Sequence, residues 1–322
     1  MLTNKNFPKL KLGISSCLLG NEVRFDGGHK RSQYIQNTLA RFFNFQTFCP
    51  EVAIGMGIPR KPIRLVRKSD EDGKKAYAVD VKNNELDYTN ELHEYSEMIA
   101  KNYLSDISGY IFKKDSPSCG MERVKVYNPE GHFVHKDGVG IYAAVIKKHF
   151  PHMPMEEEGR LNDVNLRESF LTRVYLYNDW QNMIKEGMTP RGLVNFHAQQ
   201  KYLFMAHNQH VARELGQMVA KAGSEDINEL AEAYITLAMQ VLKKQPDRKR
   251  HTNALQHIMG YLRKQIDSDD RQELLNSIMS FQKGEVPLVM PLTLLKHHFS
   301  KHPNDYIAKQ RYLSPFPVEL RW

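Results

Sequence analysis

The stretch "KLKLGISSCLL" (residues 9–19) decides how the first half of the chain is interpreted, because an apolar strand runs directly into a turn that holds a cysteine. Similar β-rich runs occur at "FQTFCP" (45–50) and "ISGYIF" (107–112). Between them, "RSQYIQNTLARFF" (31–43) and "TNELHEYSEMIAKNYL" (89–104) place apolar residues three and four positions apart, as amphipathic helices do. This alternation of strands and helices is typical of an α/β sheet with crossover connections.

The remainder of the first half continues the pattern. "VKVYN" (124–128) and "GHFVH" (131–135) flank a turn and predict a hairpin, and "GIYAAVIKKHF" (140–150) predicts another helix before "MPMEEEG" (153–159). We therefore expect residues 1–160 to form an α/β domain with an open, mostly parallel sheet and helices on both faces.

In the second half, the spacing of apolar residues is helical throughout. Thr189 and Pro190 resemble an N-cap followed by a proline at the first helical position. Further helices are predicted at 208–222, 225–244, 252–267 and 269–283, with another beginning at Pro291. Residues 161–322 are therefore expected to form an all-α domain.

Composition limits the class of protein. The 45 Lys and Arg residues exceed the 37 Asp and Glu residues, which gives a net charge of +8 and favours an anionic partner such as nucleic acid. No apolar run approaches the roughly 18 residues of a membrane span. "GISSC" (13–17) resembles a lipoprotein cleavage site, but Pro8, Lys9 and Lys11 interrupt the apolar segment that a signal peptide needs. Three cysteines are too few for a disulfide framework, so a cytoplasmic location is predicted.

The three cysteines share a position relative to the predicted strands. Cys17, Cys49 and Cys119 each lie at or just after the carboxyl end of a strand. In an open parallel sheet these ends line a common crevice, so the three thiols are able to converge. The alternative is independent burial, because free cysteine often only fills a gap in a core.

Convergence would allow several kinds of metal centre. Structural zinc needs four ligands at close spacings, and the sequence has no such arrangement. Three thiolates on a 4Fe-4S cluster would leave one iron without a protein ligand, as a Lewis acid for substrate. Spacing alone leaves the choice between a cluster and buried structural cysteines open.

The sequences around the cysteines resemble the thiouracil desulfidase family. The similarity is carried by "SSCLLGNEVRFDGGHKR" (15–31), "FCPEVAIGMGIPRKPIRL" (48–65) and "KKDSPSCG" (113–120). In the helical half, "FHAQQKYLFMAHNQ" (196–209) and "HTNALQHIMGYLRK" (251–264) resemble the companion domain that is fused to such desulfidases. The combination is similar to the two-domain bacterial tRNA 4-thiouridine desulfidases.

This resemblance implies a cofactor, catalytic residues and a reaction. Cys17, Cys49 and Cys119 would hold a 4Fe-4S cluster with one open iron, and Glu51 and Ser116 would carry catalysis. The implied reaction is the hydrolytic, non-redox removal of sulfur from 4-thiouridine in tRNA to give uridine. Without the resemblance, Glu51 is better interpreted as a helix-start residue and Ser116 as a turn hydroxyl.

Weaker candidates surround these residues. Ser16 and Ser118 lie beside cysteines, where they would contact substrate or hydrogen-bond to cluster sulfurs. Asp26 in "RFDGG" would orient substrate, although an Asx turn is the more usual role of such a residue.

The helical half contains basic residues that would suit contact with RNA phosphates, although a solvated surface explains each of them as well. They are Lys243, Lys244, Arg248, Lys249, Arg250, Arg263 and Lys264. The histidines of this half are scattered along the sequence, which favours core packing over a metal site. Tyr202, Phe204 and Tyr261 are expected to belong to the core and not to a base-stacking platform.

The leading hypothesis is therefore a tRNA 4-thiouridine desulfidase. The rival in the same chemistry is a desulfidase of free thiouracil or of a thiouridine nucleotide. The rival of another class is a non-catalytic RNA-binding protein in which the cysteines are structural.

Overall fold

The computed structural model describes residues 7–68 and 75–321. Within this part the chain packs as two compact units, which divide between Phe170 and Leu171, and Phe7 packs with the second unit. The sequence-based domains divide earlier, at 160/161. Residues 1–6, 69–74 and 322 of those predicted domains lie outside the described part of the chain.

The first unit contains two four-stranded sheets. Their strands are β1 (Leu10–Ser15), β2 (Phe43–Phe48), β3 (Ile63–Val66), β4 (Tyr77–Asp80), β5 (Tyr110–Phe112), β6 (Val124–Tyr127), β7 (Phe133–Gly138) and β8 (Met155–Glu157). The helices around them are α1 (Gln33–Asn37), α2 (Pro50–Ala53), α3 (Thr89–Tyr103) and α4 (Ile141–His149).

The first sheet has the order β2-β1-β5-β8, and all of its neighbouring strands are parallel. Gly13, Ile14 and Ser15 of β1 are buried in succession, and because neighbouring residues of a strand point to opposite faces, both faces of this end of β1 are covered. Gly13 lets Tyr110 of β5 lie against β1, because a Cβ at this position would come within 2.3 Å of the Tyr110 ring. The predicted α/β fold with a mostly parallel sheet is confirmed.

The second sheet has the order β4-β3-β6-β7 and mixes parallel and antiparallel pairs. Strands β6 and β7 form the antiparallel hairpin that the sequence predicted. On one face, Leu65, Ala78 and Val126 pack with Leu92 of α3. The short runs that form β3 and β4 did not stand out in the sequence, because four residues give little periodicity.

One predicted helix is shorter than expected. The stretch 31–43 forms only α1 and a separate 3-10 turn at Leu39–Arg41. Thr38 ends α1, and threonine suits a helix end better than a helix interior because its branched side chain loses rotamer freedom there. The chain then enters β2 at Phe43, earlier than the predicted strand.

The second unit is helical, which confirms the all-α prediction. Its helices are α5 (Val164–Lys185), which begins in the first unit, α6 (Pro190–His207), α7 (Gln209–Ala220), α8 (Ile227–Leu242), α9 (Arg248–Met259), α10 (Ser268–Lys283), α11 (Val289–Lys301) and α12 (Asp305–Ala308). The Thr189 side chain caps α6 by accepting a hydrogen bond from Gly192 N, with Pro190 at the first position as predicted. No helix in the described ranges is both long enough and apolar enough to cross a membrane.

Candidate functional site

All three cysteines line one cavity of about 370 Å³ in the first unit. None of them forms a disulfide; Cys17 and Cys119 are buried, and Cys49 is half-buried. The three cysteines therefore lie around one cavity at the carboxyl ends of β1, β2 and β5, where a parallel sheet leaves a crevice.

Each cysteine is held by a different local structure. Cys17 lies in a 3-10 turn, Ser16–Leu19, that directly follows β1. Cys49 is the N-cap residue of α2, and its Sγ lies 3.7 Å from the Val23 carbonyl oxygen. Cys119 lies in the turn after β5, where its backbone N–H donates to Ser116 Oγ at 3.0 Å.

Two glycines allow the turn around Cys119 to pack closely. A Cβ on Gly120 would come within 2.3 Å of Val124 Cγ2 and 2.7 Å of the Ser116 carbonyl oxygen. A Cβ on Gly140 would come within 2.4 Å of the Ser118 carbonyl oxygen. Larger residues at either position would displace the turn that carries Ser116, Ser118 and Cys119.

The chemistry of the thiols suits a soft, positively charged metal centre. Burial raises the pKa of Cys17 to about 11, and burial also raises the pKa of Cys49 and of Cys119. Thiols in this environment stay protonated at neutral pH unless bound iron or another cation stabilises the thiolate.

The number of thiols differs from that of a structural zinc site. Within residues 7–68 and 75–321, no group of three or more His, Cys, Asp or Glu side chains is close enough together to hold a single metal ion. The three cysteines around a shared cavity therefore fit a cluster better than structural zinc, which needs four ligands.

Glu51 is fixed at the cavity wall by an arginine. Its Oε2 accepts hydrogen bonds from Arg60 Nε at 2.9 Å and from the Arg60 Nη2 at 2.6 Å. Arg60 also donates through Nη1 to the carbonyl oxygen of Val23 at 2.9 Å, the same oxygen that lies near Cys49 Sγ. Two N–H groups of one guanidinium on the same carboxyl oxygen hold the Glu51 side chain in one orientation.

A chain of hydroxyl groups continues from Glu51. Ser118 Oγ donates to Glu51 Oε1 at 2.6 Å, and Ser116 Oγ lies 3.0 Å from Ser118 Oγ. Because the single Ser118 proton is directed to Glu51, the hydroxyl of Ser116 donates to Ser118 in this arrangement. Glu51 and Ser116 are thus connected through one buried serine.

The weaker sequence candidates fall in different places. Ser118 links Glu51 to Ser116, and Ser16 lines the cavity and accepts a hydrogen bond from Asn21 Nδ2 at 2.7 Å. Asp26 does not line the cavity: it is exposed, and its Oδ1 accepts from Gly28 N at 3.1 Å. The Asx turn, the more usual role, is what the structure has at Asp26.

The cavity wall is rich in cations that the sequence pattern did not single out. More cationic than anionic side chains line it. The cations are Arg24, Lys30, Arg60, Lys113 and Lys114, and the carboxylates are Glu51 and Asp115. The sequence offered one sign of the Arg60–Glu51 contact, because Arg60 ends "GIPR" nine residues after Glu51. Such a spacing does not specify a contact across a loop.

The basic residues predicted for RNA are on the surface of the helical unit, but two of them also have internal contacts. Arg248 donates to the carbonyl oxygen of Phe281 at 2.9 Å, and Arg250 donates to that of His207 at 3.1 Å. All seven predicted residues are exposed, at the end of α8, at the start of α9 and in the turn after α9. They are Lys243, Lys244, Arg248, Lys249, Arg250, Arg263 and Lys264.

Three histidines of the helical unit pack against tyrosines or a backbone carbonyl. His197 Nδ1 lies 3.0 Å from Tyr234 Oη, and His251 Nδ1 lies 2.9 Å from Tyr312 Oη. His207 Nδ1 lies 2.8 Å from the Lys244 carbonyl oxygen. Burial lowers the pKa of each of these three histidines to about 4, so they are neutral at pH 7.

The aromatic residues divide between core and surface. Tyr202 and Phe204 are buried, in agreement with the prediction. Tyr261 is instead among the exposed large side chains, and its Oη accepts a hydrogen bond from Tyr202 Oη at 3.2 Å.

Comparison with known families gives two matches along the chain. Residues 12–158 match the family described as 2-thiouracil desulfurase. Residues 201–317 match a family described as a protein of unknown function, DUF1722. The cavity residues named above lie within the first match.

Three relatives each correspond to about half of this chain. The chain is 32% identical to the uncharacterized protein YbgA of Escherichia coli (strain K12) over 48% of its length and 93% of that protein. It is 35% identical to the uncharacterized protein YbbK of Bacillus subtilis (strain 168) over 47% of its length and 97% of that protein. A solved structure, described as the 4Fe-4S-dependent thiouracil desulfidase TudS, is 30% identical over 50% of this chain and 99% of its own, with a TM-score of 0.38.

Proposed function

The chain belongs to the 2-thiouracil desulfurase family, and from that premise we propose that it is an iron–sulfur desulfidase that converts 4-thiouridine in tRNA to uridine. The observation that carries the proposal is one cavity that three free thiols share with Glu51 and Ser116. Cys17, Cys49 and Cys119 would hold a 4Fe-4S cluster and leave one iron open to substrate.

The proposed reaction is a hydrolysis. One water molecule is consumed, its oxygen replaces sulfur at C4 of the pyrimidine, and the sulfur leaves as hydrosulfide with one proton. No electrons are gained or lost. When bound, the cluster supplies a Lewis acid that is soft enough to bind a thiocarbonyl sulfur.

Glu51 is the proposed general base. Arg60 occupies one carboxylate oxygen and Ser118 hydrogen-bonds to the other, so the group is oriented towards the cavity in its charged form. A carboxylate in this state accepts a proton from water as the water attacks the ring.

Ser116 is the proposed donor to the pyrimidine. Its hydroxyl is anchored by the backbone N–H of Cys119 and lies next to Ser118. After Glu51 has taken the proton of water, the two serine hydroxyls would turn so that Ser118 donates to Ser116 and Ser116 donates to the substrate. The proton of Glu51 would then pass through Ser118 and Ser116 to the ring or the departing sulfur. The two serines would therefore let one carboxylate serve both halves of the hydrolysis.

The choice of a tRNA substrate is supported by charge and by the second unit. The cavity wall carries more cations than carboxylates, and the whole chain has a net charge of +8. Both features favour a phosphate-bearing substrate over a neutral base. The resemblance of the helical half to the companion domain of tRNA 4-thiouridine desulfidases points to the same polymer.

A second candidate is the desulfidation of free thiouracil or of a thiouridine nucleotide. It is favoured by the description of the family that matches residues 12–158, which names 2-thiouracil. The same cavity and the same residues would serve this reaction.

The test is to incubate anaerobically reconstituted protein with tRNA that contains 4-thiouridine and, separately, with free thiouracil. The proposal expects loss of 4-thiouridine, a matching gain of uridine and release of hydrosulfide, measured by nucleoside analysis and a sulfide assay. Unchanged tRNA beside consumed thiouracil would favour the second candidate. If neither substrate is consumed by protein that binds tRNA, the non-catalytic RNA-binding alternative is favoured.

A further inference from the structure

A row of aromatic residues crosses the second sheet. Val66 of β3 is paired with Tyr77 of β4 on one side and with Tyr127 of β6 on the other. Tyr127 is in turn paired with Phe133 of β7. Tyr77, Val66 and Tyr127 are directly paired and project from one face of the sheet. The β6–β7 register is irregular between Val126 and Tyr127, and Phe133 joins this row through its ring contact with Tyr127. We call this side of the sheet the aromatic face.

The aromatic face is the side opposite the core. Leu65 and Val126, which alternate with the row along β3 and β6, pack with α3 on the other side. Phe133 is 56% exposed, and Tyr77 and Tyr127 are half-exposed. The Tyr127 and Phe133 rings meet edge to face, with centroids 6.3 Å apart. Val66, which lies between Tyr77 and Tyr127, is only 2% exposed, so the surface that is available to a partner is that of the three rings.

Cations surround the row. Lys68 Nζ lies 4.0 Å and Lys75 Nζ 5.1 Å from the centroid of the Tyr77 ring. The Arg64 guanidinium lies 5.6 Å from the centroid of Tyr127, and Lys125, two residues before Tyr127, is exposed on the same face.

Acidic groups near the face balance only part of this charge. Asp87 pairs with Lys68 at 3.4 Å, and Asp137 pairs with Arg67 at 3.4 Å. Arg64 hydrogen-bonds through Nη2 to the neutral side chain of Asn84, so its charge is not cancelled by that contact. Among the described residues, the face therefore combines flat rings with cations that carboxylates balance only in part.

We propose that the aromatic face binds unpaired nucleotides of an RNA, whose bases stack on Phe133 and on the Tyr127 ring beside it while Lys125 and the lysines over Tyr77 contact phosphates. Open sheets with exposed aromatic residues bind single-stranded RNA in this way, because every base offers a flat surface to a ring. A protein partner is disfavoured because cations, which apolar protein interfaces exclude from their centre, lie over the rings.

Strand β3 leads from the cavity wall to the aromatic face. Pro62, directly before the strand, lines the cavity, and Arg64 and Val66 follow it at alternate positions, whereas Ile63 projects with Leu65 towards the core. A polynucleotide bound along the sheet would therefore extend to the cavity at one end of β3. This inference rests on the proposed function for the identity of the RNA, and it adds a binding surface in the α/β unit to the substrate preference.

The experiment measures binding of unmodified tRNA to the full chain by filter binding at fixed ionic strength, beside turnover of free thiouracil. Phe133→Ala is the main variant, because its side chain is exposed and its removal costs little packing. Stacking on one ring predicts affinity reduced by about 5-fold to 100-fold. Tyr103→Ala, which removes a 49% exposed tyrosine from α3, is the matched control and is expected to leave affinity unchanged.

Two further variants separate stacking from charge and from misfolding. Phe133→Tyr keeps a ring and is expected to bind tRNA as well as the unchanged chain. Lys125→Gln is expected to lower affinity and to reduce the slope of log affinity against log salt by about 1. A Phe133→Tyr variant as weak as Phe133→Ala would contradict stacking.

The outcomes distinguish this inference from the proposed function. Weaker tRNA binding by Phe133→Ala with unchanged thiouracil turnover supports the aromatic face. Affinity within twofold of the unchanged chain overturns it, even if the protein desulfurises 4-thiouridine in tRNA. If the unchanged chain turns over thiouracil but does not bind tRNA, both the aromatic face and the tRNA substrate are overturned, and the desulfidase chemistry stands.

Discussion

The cysteines of the α/β unit and the histidines of the helical unit are both buried groups able to bind metals, and they are in opposite environments. Cys17, Cys49 and Cys119 share a cavity. His197, His207 and His251 each lie within hydrogen-bond distance of a tyrosine or of a backbone carbonyl in a packed interior. The difference follows from architecture, because parallel strands end at a crevice whereas helices pack their apolar faces together.

The comparison teaches that residue type alone does not identify a metal site. Three thiols from distant parts of the sequence meet because their strands end at one edge of one sheet. His197, His207 and His251 share no such cavity, and one ring nitrogen of each lies within hydrogen-bond distance of a neighbouring tyrosine or backbone carbonyl instead. The predictions below test this contrast from the α/β side and then from the helical side.

The largest effect is expected for Glu51→Gln. The change keeps the shape of the side chain but removes the charge that accepts a proton, so desulfidation should slow by about 10²-fold to 10⁴-fold. Single-turnover kinetics on thiolated tRNA would measure it.

The control for Glu51→Gln is Glu122→Gln, an equivalent change at a residue outside the cavity lining. It should leave the rate unchanged. Equal rates for Glu51→Gln and the unchanged chain, with cluster content equal, would contradict the role of Glu51 as base.

A smaller, pH-dependent effect is expected for the histidines. The pKa of His251 is about 4 in the folded chain, chiefly because of burial, against 6.5 for the unperturbed group. Below pH 6.5 the unfolded chain binds a proton that the folded chain does not, so stability is lost as the pH falls from 6.5 towards 4. Such a shift corresponds to about 3 kcal/mol for one histidine over that range.

His251→Gln removes this titration. The difference in Tm between pH 7 and pH 5 should therefore be smaller for the variant than for the unchanged chain, as measured by circular dichroism. Desulfidation at pH 7 should persist, because the residue is outside the cavity. An unaltered pH dependence of Tm would show that His251 is not buried as a neutral group.

The smallest effect is expected for Asp26→Asn. Its carboxylate is exposed and accepts a hydrogen bond from Gly28 N, which lowers its pKa and which asparagine is able to replace. The kcat/KM for thiolated tRNA should stay within about twofold, as for most surface changes. A loss of tenfold or more would assign Asp26 to substrate binding.

Much of the fold follows from local patterns in the sequence. Buried strands such as β1 and capped helices such as α6 carry strong signals, since apolar periodicity and the Thr189–Pro190 pair act over a few residues. The positions of the cysteines at the carboxyl ends of strands were also predictable from the sequence. The difference between an α/β half and a helical half was predictable from sequence periodicity, without knowledge of any tertiary contact.

Other features depend on contacts between distant residues and gave no local signal. Strands β3 and β4 are stable because Leu65 and Ala78 pack with α3, which four-residue runs do not reveal. The Arg60 pair with Glu51 and the bridging role of Ser118 arise from the way loops fold over the cavity. The chemistry of the cluster came from resemblance to a family, because spacing alone left structural cysteines as an alternative.

The most direct test of the account is the iron and acid-labile sulfide content of the anaerobically reconstituted chain, measured beside Cys119→Ala and His207→Gln. If Cys17, Cys49 and Cys119 hold one 4Fe-4S cluster, the unchanged protein and His207→Gln should each contain about four irons and four sulfides per chain. It predicts loss of both cluster and desulfidation in Cys119→Ala. A colourless unchanged protein that still removes sulfur, or a Cys119→Ala variant that keeps the cluster and turnover, would contradict it.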